Sequence, residues 1–98
     1  MIMFNLKHTI SILVEMARQD PKNFQTCRTP QDVKIDVMST RGGIHLQLSK
    51  SQHYPDEEIW QQVLDCLPAK GNGKPVQPLK MELFGRYYLT RTIPFEGC

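Results

Sequence analysis

Two runs of alternating apolar and polar residues flank a double glycine in residues 33–49, VKIDVMSTRGGIHLQLS. The alternation predicts two half-buried β-strands joined by a tight loop around Arg41 and Gly42. The predicted cross-strand pairs are Thr40–Gly43, Val37–Leu46 and Ile35–Leu48, with Met38–His45, Asp36–Gln47 and Lys34–Ser49 on the other, polar face. Turn chemistry and hydrophobic register agree, so this hairpin anchors the predicted sheet.

The polar face of the predicted hairpin makes Asp36 and His45 diagonal neighbours. A carboxylate there can orient an imidazole, as nucleophilic catalysis requires. No nucleophile is identifiable beside them, and a flat sheet excludes water poorly. A cross-strand polar pair is therefore the preferred interpretation, and we expect the chain not to be an enzyme.

The first helix is predicted over residues 5–19, because apolar residues recur there at helical spacing and Asp20-Pro21 ends the pattern. Ile12 and Met16 lie on its other side and widen the apolar surface. Either Phe24 or a second molecule would cover them, and Phe24 is the preferred interpretation.

Prolines and polar residues indicate where the second helix and the connecting segments lie. Residues 20–31 contain two prolines and are predicted to be an irregular connector. A second helix is predicted to start at Pro55 and to end at Leu67-Pro68, with three acidic residues in its first turn where the helix dipole favours them. Trp60 is its largest predicted core residue. Residues 69–75 have the composition of a surface loop.

The last segment alternates almost without a break from Leu79 to Ile93. A straight strand of that length would span on the order of 50 Å, more than a small domain supports. Gly85 is therefore predicted to bend it, giving two paired strands or one kinked strand, and bending within one chain is favoured. The predicted fold is α+β, in the order α-β-β-α-β-β, with two helices packed on one face of an antiparallel sheet. Residues 1–98 are expected to form one small domain.

The composition is that of an ordinary globular chain, with 98 residues, 40% hydrophobic, 22% charged, and a net charge of +2 with histidine neutral. This charge is too weak to indicate a polyanionic partner by itself. Cys27, Cys66 and Cys98 are odd in number and widely spaced, which favours free thiols in a reducing compartment. No targeting or membrane-spanning segment is visible. We expect a cytoplasmic, intracellular location without a membrane partner, and the choice between cytosol and nucleus stays open.

Motifs for cofactors and metals fail on their spacing. Residues 71–74, GNGK, share glycines and a lysine with the end of a phosphate-binding loop, but Pro75 stands where Ser or Thr would reach Mg²⁺. His8, His45 and His53 join the cysteines as zinc-type donors, but no two of these donors form a close pair. We therefore expect no cofactor and no metal site.

The basic C-terminal third supports a nucleic-acid partner. One face of the last segment is predicted to carry Lys80, Phe84, Arg86 and Tyr88. Basic groups neutralise phosphates and aromatic rings stack on unpaired bases, so this face is predicted to bind a single strand. Lys70 and Lys74 extend the predicted binding residues, whereas Glu82 interrupts them.

Protein binding or homodimerisation, of the inhibitor or adaptor type, is the alternative function. It rests on the broad apolar first helix with Ile12 and Met16, on the overlong last strand and on exposed sheet edges. Edge pairing in a two-fold dimer would explain that strand without any ligand. The sequence thus predicts a non-enzymatic binding or regulatory module for a macromolecular partner, with nucleic acid preferred and protein as the alternative.

Overall fold

The α+β class is confirmed by a computed structural model, which describes residues 5–67 and 77–94. In chain order its elements are α1 (Leu6–Gln19), β1 (Gln25–Arg28), β2 (Lys34–Ser39), β3 (Gly43–Ser51), α2 (Glu57–Cys66), β4 (Leu79–Leu83) and β5 (Arg86–Pro94). The strands form one antiparallel sheet in the order β1-β2-β3-β5-β4. The observed order is therefore α-β-β-β-α-β-β, with one strand more than the sequence predicts.

The additional strand, β1, lies within the segment predicted to be an irregular connector. It has four residues and pairs antiparallel with β2, placing Cys27 opposite Ile35. Its side chains are alternately half-buried and exposed. A short, mostly polar edge strand carries almost no hydrophobic alternation, and the prolines on either side of it favour a loop assignment.

The central hairpin of β2 and β3 confirms the predicted register at every pair from Lys34–Ser49 to Met38–His45. The amide of Thr40 donates a hydrogen bond to the carbonyl oxygen of Gly43 at 3.0 Å, as the predicted loop requires. Gly43 also packs against β5, where an added Cβ would overlap the carbonyl group of Ile93. The lack of a side chain at Gly43 therefore lets β3 and β5 approach each other.

Both helices contribute to one hydrophobic core on a single face of the sheet, here called the helix face and marked by Ile35, Leu46 and Leu89. The core residues of the helices are Ile10, Leu13, Val14 and Ala17 in α1, and Trp60, Val63 and Leu64 in α2. The opposite side of the sheet is here called the open face. This arrangement confirms the predicted layer structure.

The helix ends differ in how closely they follow the sequence prediction. Asn5 is the N-cap of α1, and its side-chain oxygen accepts a hydrogen bond from the His8 amide at 3.0 Å. α2 begins at Glu57, with Asp56 as the N-cap residue, so Pro55 lies just before the helix instead of in its first turn. Within residues 5–67 and 77–94, neither helix combines the length and the apolar character that crossing a membrane would need.

Candidate functional site

The last two strands meet in a two-residue turn at Phe84 and Gly85, which confirms the predicted bend. Leu83 pairs with Arg86 across it, so odd-numbered residues of β4 share a face with even-numbered residues of β5. The open face therefore receives Leu79, Met81 and Leu83 from β4 together with Arg86, Tyr88 and Thr90 from β5.

Lys80 does not share a face with Arg86 and Tyr88, so the predicted basic-aromatic face is wrong in this respect. Lys80 pairs with Leu89, which belongs to the core on the helix face. The prediction assumed a continuous strand, in which even-numbered residues stay on one side. A two-residue turn pairs an even with an odd position, and this reverses the sides.

The helix face gives Lys80 partners within the chain. Its ammonium group lies 3.7 Å from a carboxylate oxygen of Glu57 and 5.6 Å from the ring centroid of Tyr54. Tyr54 in turn packs edge-on against Tyr87, with the ring centroids 4.9 Å apart. Lys80 thus covers the junction between α2 and β5. Because this ion pair is largely exposed, it contributes at most about 1 kcal/mol.

Arg86 lies on the open face, where it covers Ser49. Its Nε donates to the Ser49 hydroxyl at 3.0 Å, and a terminal nitrogen donates to the Ser49 carbonyl at 3.5 Å. Tyr88 is half-buried on the same face, while Phe84 stands apart at the tip of the turn. Lys70 and Lys74, the other predicted nucleic-acid-binding residues, lie outside the described residues.

The polar pair Asp36 and His45 is separated by the hydrogen bonds that each makes. Asp36 is buried and accepts hydrogen bonds from the Thr26 hydroxyl at 2.6 Å and the Gln47 amide at 3.4 Å. The two ring nitrogens of His45 instead contact the hydroxyls of Thr92 at 3.0 Å and Thr90 at 3.1 Å. The imidazole therefore turns towards β5, and the hydrogen bonds of Asp36 and His45 together join β1, β2, β3 and β5.

An exposed apolar surface on β4 and its turn holds four of the seven large apolar side chains that are exposed among the described residues. We call it the β4 surface, and it comprises Leu79, Met81, Leu83 and Phe84, which are 58%, 45%, 49% and 97% exposed. β4 is an edge strand, so its outer backbone groups have no partner strand within the described sheet. Leu79, Met81 and Leu83 share the odd-numbered parity of the core residue Leu89, but the turn places them on the opposite face of the sheet.

The turn holds Phe84 in an unusual backbone conformation. Its φ is +51° and that of Gly85 is +76°, as in a type I′ hairpin turn. Asn, Asp or Gly normally occupies the first position, because a bulky side chain with positive φ is strained. The chain thus presents a large aromatic ring to solvent at a position where local energetics favour a small polar residue.

The second predicted partner-binding surface lies on α1. Ile12 and Met16 are 46% and 45% exposed. The expectation that Phe24 covers them is wrong, because Phe24 packs against the His45 ring on the open face, with the ring centroids 5.8 Å apart. The residue directly before β1 points to the side of the sheet opposite α1, as strand alternation requires.

Neither the cysteines nor the described grooves gather a reactive set of side chains. Burial, and secondly the charge of Asp36, raise the pKa of the Cys27 thiol, which favours its protonated, less nucleophilic form near neutral pH. In the described part of the chain, no three histidine, cysteine, aspartate or glutamate side chains lie close enough to share a metal ion. A shallow groove of about 250 Å³ beside α2 is lined by Lys50, Asp56 and Glu58, among others.

Comparison of the chain with protein-family models, with curated proteins and with solved structures gives no match. The functional conclusion therefore depends on the residues themselves. Sequence patterning missed Leu79, Met81 and Leu83 as surface residues, although one feature could have identified them. Gly85 can occupy the second position of a two-residue hairpin loop, which would place Leu83 beside Arg86, although Phe84 is not a residue normally found at the first position.

Proposed function

We propose that the chain is a non-enzymatic protein-binding module that docks its partner at the β4 surface. The observation that carries this proposal is the placement of four large apolar side chains on one edge strand and its turn, with Phe84 almost fully exposed. Contiguous exposed apolar side chains at a sheet edge favour recognition of another polypeptide.

The edge of β4 offers a partner both backbone and side-chain contacts. An extended segment that pairs with this edge gains main-chain hydrogen bonds from an unpaired strand. Side chains of the same segment would cover the apolar residues on the open face. Burying the exposed part of each of these four side chains contributes on the order of 1 kcal/mol, before the cost of association.

A nucleic-acid partner is less well supported by the same geometry. Lys80 lies on the other face beside Glu57, and Arg86 is engaged by Ser49. The apolar side chains of β4 occupy the part of the open face next to Arg86 and Tyr88, where a phosphate backbone would need further cations. Binding of the chain to single-stranded nucleic acid is therefore one of the outcomes that the experiment below distinguishes.

The test selects ligands for the purified, immobilised chain from a displayed library of random short peptides. Wild type is compared with Met81→Lys, and Met16→Lys is the matched control, because both methionines are 45% exposed and lie on different surfaces. We expect enriched peptides with alternating apolar residues that bind wild type and Met16→Lys but not Met81→Lys.

Three results would contradict the proposal. In the first, the chain is monomeric and enriches no peptide above background. In the second, Met81→Lys binds the enriched peptides as well as wild type does. Loss of binding in Met16→Lys alone would assign docking to α1 instead. A labelled single-stranded oligonucleotide forms the parallel arm, and salt-sensitive binding that Arg86→Ala abolishes would favour nucleic acid.

A further inference from the structure

The strand β4 has a self-complementary sequence, Leu79-Lys80-Met81-Glu82-Leu83. Read in either direction from Met81, it presents a charged residue and then a leucine, and the two charges have opposite signs. We propose that the partner of β4 is the β4 strand of a second copy of this chain, paired antiparallel about a two-fold axis at Met81. This inference rests on the proposed protein-docking function and names its partner.

Backbone geometry restricts how two β4 strands can pair. In a two-residue hairpin, Leu83 and Arg86 form a hydrogen-bonded pair, so the amide and carbonyl groups of Leu83 point to β5. Alternation then directs the backbone groups of Met81 to β5 and those of Lys80 and Glu82 outwards. A second strand must therefore bond to Lys80 and Glu82, which excludes registers shifted by one residue.

Charge selects one register among those that remain. A two-fold axis at Lys80 would place this lysine opposite its own copy, and an axis at Glu82 would do the same for the glutamate. Directly opposed like charges destabilise a strand pair. With the axis at Met81, Lys80 of each copy faces Glu82 of the other copy, which gives two pairs of opposite charge. All of β4 is then paired.

The same register joins the apolar side chains. Leu79 comes opposite Leu83 of the second copy and Met81 opposite its own copy, so one apolar stripe runs across the interface on the open face. Phe84 follows Leu83 at the tip of the turn and therefore lies next to the end of this stripe. The two sheets become one continuous sheet, and the interface is isologous.

The intramolecular ion pair of Lys80 does not oppose this arrangement. Its side chain and that of Glu57 are 52% and 70% exposed, and the separation is 3.7 Å. An exposed pair of this kind is worth little, so Lys80 can exchange or share its carboxylate partner at small cost. Both the monomer and the dimer therefore leave this lysine paired.

The first experiment measures mass in solution by sedimentation equilibrium over a series of concentrations. The chain is 11.4 kDa, so a dimer has twice that mass. We expect a reversible dimer for wild type and for Met16→Lys, and a monomer for Met81→Lys. Circular dichroism confirms that each variant is folded. A monomeric wild type at every concentration overturns the inference, as does a dimer that Met81→Lys leaves intact.

Charge reversal tests the register itself. Lys80→Glu gives a β4 strand with two acidic residues, and Glu82→Lys gives one with two basic residues. In a dimer of either variant, residues 80 and 82 of the two copies would then face each other with the same charge. We expect each to dimerise at least about tenfold more weakly than wild type. An equimolar mixture restores opposite charges and should form a heterodimer of near wild-type affinity. Mixing without any gain in affinity overturns the Met81-centred register.

Amide hydrogen exchange provides an independent readout. The outward amides of Lys80 and Glu82 should become protected as concentration rises, while that of Met81 is protected in both states. A monomeric wild type that still enriches peptides through β4 would refute self-pairing and leave the docking function standing. A monomer that enriches no peptide would refute both.

Discussion

Replacing Phe84 by asparagine is expected to stabilise the folded monomer, although Phe84 is the largest residue of its turn. The ring is 97% exposed, so its removal forfeits almost no burial. The backbone φ of +51° lies in the left-handed region, which costs a residue with a β-carbon roughly 1–2 kcal/mol. Asparagine tolerates this region, and Asn-Gly is the preferred type I′ pair. The free energy of unfolding should therefore rise by about 1 kcal/mol.

The gain is measured in the Met81→Lys background, so that self-association does not contribute to the apparent stability. For a domain of this size, about 1 kcal/mol corresponds to a rise in Tm of roughly 4–8 °C. Thermal and urea unfolding of Phe84→Asn with Met81→Lys are compared with those of Met81→Lys alone. In the wild-type background the same substitution should weaken dimerisation, because Phe84 adjoins the proposed interface.

The neighbouring glycine supplies a control of opposite sign. Gly85 has a φ of +76°, and an added Cβ would meet nothing within 4 Å, so Gly85→Ala changes the backbone energy alone. It should lower the free energy of unfolding by about 1 kcal/mol. Backbone strain in this turn would be refuted if Phe84→Asn did not raise the free energy of unfolding above that of its parent. It would also be refuted if Gly85→Ala left the free energy of unfolding unchanged.

Two further predictions concern the core and its thiols. Gly43→Ala should destabilise the fold by about 1–3 kcal/mol in urea unfolding, because the new methyl group overlaps Ile93, whereas Gly42→Ala, with open space around it, should change stability by less than about 0.5 kcal/mol. Equal effects would contradict the close approach. Iodoacetamide should modify Cys27 more slowly in the folded than in the urea-unfolded chain at the same pH, since burial and Asp36 raise its pKa. The contribution of the Cys27 thiol to the free energy of unfolding is fully present below the pKa of cysteine in the unfolded chain. It is lost as pH rises through the higher pKa of Cys27 in the folded chain.

Hydrophobic periodicity predicted the parts of the fold that are buried on one side. The hairpin around Gly43 has a register that only one pairing satisfies, since a one-residue slip would expose its whole apolar set. α1 likewise has a cap at Asn5 and a stop at Asp20-Pro21. These elements could be predicted because local chemistry and burial indicate the same structure.

The candidate site could not be predicted in this way, because it breaks the same rules. β1 has polar residues that edge pairing tolerates, and Phe84 occupies a turn position that sequence statistics give to asparagine or glycine. The apolar residues of β4 alternate like core residues, and only the turn at Phe84-Gly85 shows that they face away from Leu89. Exceptions to local preference are expected where residues serve binding instead of stability.

The two sheet edges explain why pairing through β4 should close instead of extending into a fibre. A head-to-tail contact of β4 with β1 would leave a free edge on each copy and allow unlimited addition. Within β1 itself the open face carries only Thr26 and Arg28, and Phe24 before it packs against His45, so the apolar residues of β4 would lie opposite polar side chains along this strand. The self-complementary strand pairs best with its own copy, and that contact consumes both β4 edges at once. The short, polar β1 then forms both outer edges of the dimer, where such strands discourage further pairing.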